Sequence, residues 1–385
     1  MKKSILIHHH CTYNSYGDVN KTVSFIANWV NELNKHFDVG LLIHQSRKKY
    51  EKNDSVIDSK IKVHSLGYEG KRWDRIDRIK RIKRICKNVS KDYDILLIRG
   101  ITPRQFTIYT SCNTPVKTFL FVGSLIDSIP PFANIFRDPY AYIFHFIRKL
   151  ELKLISSKAT IFANSHTSVN EIEKYFSTKS YFVSTNTISE KILSNSFIKE
   201  ESEKIKLIFC GRIVKDKGII ELLDAFNILL RENNKFELHL IGNLSENFKQ
   251  EIYGLSFWNS IKDQIVFHGF VPFGNDLFQI LRNGSMLILP SYHEGFPHII
   301  WESAVVGLPV IVTDVGGIKG LVSEKDVEFI KSKSSIDIVR AVNYTQDNPR
   351  LAKERIDHLK KTFFNYSLES GTLSLFKKIN NLFYE

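Results

Sequence analysis

Two glutamates eight positions apart, Glu294 and Glu302, lie in the stretch Pro290-Ser-Tyr-His-Glu-Gly-Phe-Pro-His-Ile-Ile-Trp-Glu302. The apolar run Met286 to Leu289 reads as a buried strand ending at Pro290. A short loop then carries Glu294 and Gly295, Pro297 suits the first turn of a helix, and Glu302 lies on that helix. Eight residues of helix span ~12 Å, so the two carboxylates do not converge on one bond. The carboxyls of a retaining glycosidase stand only ~5 Å apart. The pair is therefore ill suited to hydrolysis and well suited to clamping the two ends of an extended ligand. Each carboxylate can accept two hydrogen bonds from a vicinal diol, as on a ribose or a hexose. The helix start between them, Phe296 to His298, presents backbone N–H groups to hydroxyls or phosphate oxygens, except at Pro297, which has none.

A second cluster, Gly211-Arg212-Ile-Val-Lys-Asp-Lys217-Gly218, falls between an apolar strand pattern and a helical one. Arg212 offers a bidentate fork and Lys217 a mobile point charge, a combination that suits a diphosphate. Neither GxxxxGK[ST] nor GxGxxG is present, so a P-loop and a dinucleotide fingerprint are unsupported. Alone, such a loop reads as solvated. Followed by the Glu294/Glu302 segment, it reads as phosphate-binding.

The elements that position these loops follow a βαβ rhythm. Strand patterns occur at Ser4 to His8, Val39 to Ile43, Ile95 to Ile98, Thr118 to Val122, Thr160 to Ala163 and Tyr181 to Ser184. Helical patterns intervene at Val19 to Lys35, Arg72 to Val89 and Tyr140 to Ile155. Asn186 to Glu203 is polar and breaks the rhythm, as an interdomain linker would. The rhythm restarts with strands at Lys206 to Cys210, Phe236 to Ile241, Ile265 to His268, Met286 to Leu289, Pro309 to Thr313 and Glu328 to Ile330. Its helices are Gly218 to Arg231, Glu302 to Val306 and Leu351 to Phe364. The expected architecture is α/β, two doubly wound parallel-sheet (Rossmann-like) domains facing a central ligand cleft. The expected boundaries are residues 1–185, a linker at 186–204, a second domain at 205–365 and a C-terminal helix at 366–385. In open sheets of this kind ligands bind beyond the carboxyl ends of the strands, where both clusters fall.

With 385 residues, 43% of them hydrophobic, the chain can bury two cores. Its apolar runs are strand-length, far below the ~20 residues that span a bilayer. The N-terminus reaches His8, His9 and His10 before a secretory apolar region could build up, so it reads as the first strand of a cytoplasmic protein. Four scattered cysteines, Cys11, Cys86, Cys112 and Cys210, read as reduced, packed thiols. Alternate side chains on a strand face opposite ways, so the three histidines are not expected to share a metal. Fifty-four Lys and Arg against 41 Asp and Glu give a net charge of +13, which favours an anionic partner. The basic excess concentrates between Arg47 and Lys91. In Arg72 to Lys87, Trp73, Ile76, Ile79, Ile82 and Ile85 recur every third residue as an apolar stripe among Lys and Arg. Three readings stand for this helix: a packed helix with a solvated basic face, a surface for anionic lipid headgroups, or a nucleic-acid contact. The last is the weakest, because no stacking aromatics or nucleic-acid module accompany the stripe.

In this order and context the chain resembles a family 4 retaining glycosyltransferase of the GT-B fold. The motifs that carry the resemblance are E-x7-E at Glu294 and Glu302 within His-Glu-Gly-Phe-Pro, the following Gly-Leu-Pro-Val-Ile-Val-Thr-Asp-Val-Gly-Gly, and the upstream Gly-Arg and Lys-Gly pairs. It is strong over Lys206 to Val322 and weak before that. The resemblance implies that Arg212 and Lys217 bind the diphosphate of a nucleotide sugar, UDP or GDP, used as co-substrate with no cofactor and no metal. It implies that Glu302 holds the ribose hydroxyls and that catalytic Glu294 holds hydroxyls of the donor sugar, assisted by Gly295, Phe296, Pro297 and His298. Gly269, Phe270 and Val271 match where the family lines its base pocket.

The chain departs from the family in three places. The first βα turn reads Asn14-Ser15-Tyr16-Gly17-Asp18, with Gly17 in place of a glycine pair and Asp18 as a candidate N-cap for a helix starting near Val19. The region after a central strand, Phe121-Val122-Gly123-Ser124, lacks the histidine often found near the sugar, and His145 falls in a helical pattern. Ile318-Lys319-Gly320 stands where many members have a proline and a glutamate. The activity implied is sugar transfer with retained configuration to a saccharide or lipid-linked acceptor, in surface polysaccharide or glycolipid assembly. The implied location is cytoplasmic, peripheral at the inner membrane face through Arg72 to Lys87. Two rival readings are a basic nucleic-acid-binding protein, marked by salt-sensitive retention on duplex DNA, and an epimerase or phosphorylase of the same fold, marked by turnover without an acceptor or only with inorganic phosphate.

Overall fold

A computed structural model of the chain describes residues 2–47, 54–68, 75–100, 103–121, 150–194, 200 and 202–383. It divides into two compact units, Met1–Thr187 with Tyr366–Glu385, and Ile188–Asn365. The expected helix over Tyr140 to Ile155 is described only from residue 150, where 150–156 are helical. Val122, Gly123, Ser124 and His145, and Arg72 to Asp74 of the basic helix, lie outside the described residues.

In the first unit, β1 (Ser4–Tyr16) sits between β3 (Asp38–Gln45) and β6 (Ile95–Arg99), parallel to both. The parallel sheet extends through β5 (Lys62–Tyr68) on one side. On the other it continues through β7 (Val116–Phe121), β8 (Thr160–Ala163) and β9 (Ser180–Phe182). Alternation sorts the side chains between two cores. Ile5, Ile7, Leu41, Ile43, Ile95 and Leu97 pack on one face with Trp29, Val30 and Leu33. Leu6, Leu42, Leu96 and Ile98 pack on the other with Ile82, Cys86, Ile108 and Ile172. Burial on both faces is why these strands read as continuous apolar runs. The last helix, Leu368–Asn381, is N-capped by the Ser367 side chain and delivers Leu375 and Ile379 to the Trp29 side.

Two expectations fail here. Val19 to Val23 is not the start of a helix but β2, antiparallel to the end of β1 and paired on its other side with β4 (Asp54–Val56). Tyr16 pairs with Val19, so Gly17 and Asp18 are the two central residues of a hairpin turn. Gly17 has φ +60°, which a II′ turn requires at its first central position. Asp18 is therefore no N-cap; the helix begins at Ser24, after Val23. Thr22 Oγ1 donates to the Thr12 carbonyl at 2.8 Å, a contact that only the hairpin can make. In the basic helix, Arg75–Val89, the buried residues among the described side chains are Arg78, Ile82 and Cys86, while Ile79 is 42% exposed. A stripe of period three drifts around a helix of 3.6 residues per turn, and the sheet takes the period-four row instead.

The second unit holds a six-stranded sheet in the order β12-β11-β10-β13-β14-β15, every pair parallel. The strands are β10 (Ile205–Cys210), β11 (Phe236–Ile241), β12 (Ile265–Gly269), β13 (Met286–Leu289), β14 (Val310–Thr313) and β15 (Glu328–Ile330). Chain order runs outward from β10 to β12 and then resumes at β13 on the other side of β10. The topological switch point thus lies between β10 and β13.

Candidate donor site in the second unit

The loops that leave β10 and β13 start at neighbouring strand ends, so residues far apart in sequence meet there. After β10, Lys215–Lys217 forms a single 3-10 turn closed by Gly218, and the helix Ile219–Glu232 follows. Gly218 has φ +68°, and a Cβ there would lie 2.1 Å from the Pro290 carbonyl oxygen. The two loops are therefore in backbone contact, which only glycine permits at this point. The Tyr292 N–H donates to the Asp216 carbonyl at 2.9 Å, and its hydroxyl donates to Glu221 at 2.6 Å. Burial and then Glu221 push the Tyr292 hydroxyl up to about 12, which keeps it a donor.

This framework brings Lys217 Nζ to 2.7 Å from Glu294 Oε1, and the Ser291 hydroxyl donates to the same oxygen at 2.7 Å. Only 14% and 15% of the two charged side chains remain exposed, so the pair is largely screened from water. Glu294 is held from a third side by the loop after β14. Gly316 has φ +61°, and a Cβ there would fall 1.6 Å from the Glu294 carbonyl oxygen. The Gly317 N–H donates to the Gly295 carbonyl at 2.9 Å. Thr313 Oγ1 ties the end of β14 to the Ser291 carbonyl at 2.7 Å.

Glu302 lies in the first turn of the helix Ile299–Val306, with His298 at the N-cap position but no side-chain cap. Pro297 precedes the cap rather than opening the helix. Glu302 is half-buried, and its carboxylate has no hydrogen-bond or ion-pair partner among the described residues. Burial raises its carboxyl from 4.5 to about 7. Burial, and after it the charge of Glu302, push up the thiol of Cys210 at the end of β10. The N–H groups of Gly295 and Phe296 donate to nothing among the described residues, and the Phe296 ring stacks on Trp301 at 4.9 Å.

The other candidates are more scattered. Arg212 is exposed, 4.0 Å from Asp216. Gly269 ends β12 with φ +67° and accepts from the Gly242 N–H at 2.8 Å. It is followed by Phe270, 67% exposed, and half-buried Val271. Gly17 belongs to the first unit, in the hairpin turn. Residues that sequence reasoning passed over are Ser291, which orients Glu294, and Gly316, whose glycine pair was legible but whose role needs the three-dimensional contact. Lys319 pairs with Asp314 at 2.6 Å.

The histidine run lies where β1 is irregular. Between His8 and Thr12 the register of β1 against β3 slips, and alternation fails in the irregular stretch. His9, His10 and Cys11 consequently bring their ligand atoms within 4.8 Å of one another. Burial, with Arg99 next, lowers the His9 imidazole to about 2.

Residues 192–362 match the family model described as Glycosyl transferases group 1. The capsular polysaccharide biosynthesis glycosyltransferase CapM of Staphylococcus aureus is 25% identical over 272 residues, 67% of this chain and 65% of that protein. The chain spans 48% to 65% of the length of CapM and two other curated relatives. A glycosyltransferase from Rickettsia africae superposes with a TM-score of 0.71 at 15% identity, covering 98% of both chains. HepE of Anabaena, solved in complex with UDP, gives 0.69 at 11% identity over 98% of this chain and 100% of that one. The whole chain thus has the GT-B fold of these enzymes, and residues 192–362 are similar in sequence to group 1 glycosyl transferases.

Proposed function

We propose that the chain is a retaining glycosyltransferase that moves a sugar from a nucleoside diphosphate donor, UDP or GDP, to a hydroxyl of a saccharide or lipid-linked acceptor. The observation that carries this reading is the enclosed Lys217–Glu294 pair at the switch point, with the unpartnered carboxylate of Glu302 on the helix that follows. Two carboxylates, one lysine and unengaged N–H groups at one sheet edge suit a ligand that carries hydroxyls at both ends and negative charge between them.

Each residue has a distinct task. Glu302 accepts from the ribose diol, and the exposed ring of Phe270 stacks on the base. Lys217 and Arg212 face the diphosphate, with the N–H groups of Gly295, Phe296 and His298 as further donors. Glu294 holds hydroxyls of the donor sugar beside the reacting carbon. Departure of the nucleoside diphosphate builds negative charge, which Lys217 and Arg212 stabilise without a metal. Before the donor arrives, Glu294 neutralises Lys217; the diphosphate offers the ammonium a second anion, and Glu294 turns to the sugar. Attack comes from the face the diphosphate leaves, with a donor phosphate oxygen taking the acceptor proton, so that configuration is retained.

CapM is named for capsular polysaccharide biosynthesis, and another fold relative, WaaG, at a TM-score of 0.67, for lipopolysaccharide biosynthesis. These names support a role in surface polysaccharide or glycolipid assembly, and the basic helix Arg75–Val89 would suit the face of an anionic membrane. Among the described residues no helix is long and apolar enough to cross a bilayer.

The test is incubation with a panel of nucleotide sugars and acceptors, with proton NMR of the product. The expected product keeps the anomeric configuration of the donor, and Glu294→Gln lowers turnover by at least about 100-fold. An inverted product would remove the retaining assignment. Turnover that needs inorganic phosphate instead of an acceptor would favour the phosphorylase reading.

A further inference from the structure

Arg99 ends β6 in the first unit with 4% of its surface exposed, and its Nε and Nη1 have no hydrogen-bond partner among the described residues. No carboxylate pairs with it among the described residues. The guanidinium lies 4.6 Å from the ring centroid of Trp29 and 5.8 Å from that of Phe25. Both rings come from the helix Ser24–Leu33 and meet the cation with their faces, leaving Nε and Nη1 without acceptors among the described residues. The strand end itself is fixed, since Gln105 Nε2 donates to the Arg99 carbonyl at 2.9 Å.

Arg99 pairs in register with His9 of β1, where the irregular stretch gathers His9, His10 and Cys11. Nδ1 of His9 accepts from the Cys11 N–H at 3.0 Å, and the His9 ring stacks on exposed His10 at 4.3 Å. The ligand spacing would suit a metal ion, but the local charge opposes one. A metal cation would meet a buried guanidinium that no carboxylate among the described residues neutralises. An anion would meet a positive charge and N–H groups that lack acceptors. Burial lowers even the guanidinium, to about 10, which is consistent with a cation held without its counter-charge.

We propose that Arg99 is the centre of an oxyanion site in the first unit, taking a carboxylate or phosphoryl group on its guanidinium fork. The site stands on this unit alone. Only its place in the reaction, the selection of acceptors that carry such a group, rests on the transfer reading.

The test is thermal unfolding of the full chain titrated with inorganic phosphate, glycerol phosphate or glucuronate, against sodium chloride at matched ionic strength. The wild type is expected to show a saturable rise in Tm with phosphoryl compounds or with glucuronate, and the responding set names the source of the anion. The response should persist in Lys217→Ala, which separates this site from the donor site, and should vanish in Arg99→Met. Arg99→Lys, which keeps the charge without the fork, should bind at least tenfold more weakly and serves if the methionine variant does not fold. A wild type that responds no more than to chloride, or an Arg99→Lys variant that binds equally well, overturns the proposal.

Discussion

Replacing Glu302 by glutamine keeps the shape of the side chain and removes its titration. In the folded protein burial raises this carboxyl from 4.5 to about 7, so the folded state holds its proton more tightly than the unfolded state. For an acid raised in this way, the favourable contribution is present below pH 4.5 and is lost as pH rises towards 7 and above. At 1.36 kcal/mol per tenfold, the span from 4.5 to about 7 corresponds to about 3 kcal/mol lost by pH 8. Glu302→Gln has no charge to bury, so denaturant unfolding should find the two proteins close at pH 4.5 and the variant about 2 to 3 kcal/mol more stable at pH 8. The same titration governs ligand affinity. A ribose diol donates to the ionised carboxylate, so binding should draw the carboxyl back towards its ordinary range. Affinity for a nucleoside diphosphate should then rise about tenfold between pH 6 and pH 8 beyond any change due to the phosphates themselves. Isothermal titration of wild type and Glu302→Gln with the same nucleotide isolates the term, because the phosphate contribution is common to both. If the two proteins share one pH slope in stability and in affinity, Glu302 is neither the strained acid nor the diol clamp.

Gly316→Ala should lower stability by about 2 kcal/mol or more and weaken nucleotide binding, since its Cβ would collide with the Glu294 backbone at a positive φ; a melt and a nucleotide titration that match wild type would contradict this. Leu375→Ala removes a fully buried side chain that joins the last helix to the first unit and should cost about 2 to 5 kcal/mol in denaturant unfolding. The basic face of Arg75–Val89 should carry the protein upward with anionic vesicles in flotation and lose it in high salt, while neutral vesicles leave it behind. Binding indifferent to lipid charge would reduce that face to a solvated surface.

The strands were legible because burial on both faces writes them as apolar runs, as in Ile95 to Ile98 and Met286 to Leu289. The hairpin was not. Asp18-Val19 satisfies the local rules for a helix start, and only the distant Thr12–Thr22 bond decides for β2. Several helices went unread although their caps stand in the sequence. Ser165, Ser245 and Ser334 each accept from the N–H three residues on, a signal their own spacing carries. In the site, E-x7-E is local and was visible. The Lys217–Glu294 contact was not, because it depends on β10 lying beside β13, a matter of sheet order rather than pattern. Arg99 had a faint signal, a charge ending an apolar run, but its lack of partners is a property of packing. In the histidine run strict alternation gives way where the register slips: His8 and His9 are both buried and His10 is exposed.

We propose that the Lys217 loop is a preformed diphosphate site. Its most direct test is isothermal titration of the protein and its Lys217→Ala variant with UDP, GDP, ADP and CMP. Saturable binding of UDP or GDP, weakened at least tenfold in the variant, a loss of about 1.4 kcal/mol, is the expected result. Equal affinity in the two proteins, or no binding of any nucleotide, would contradict the account.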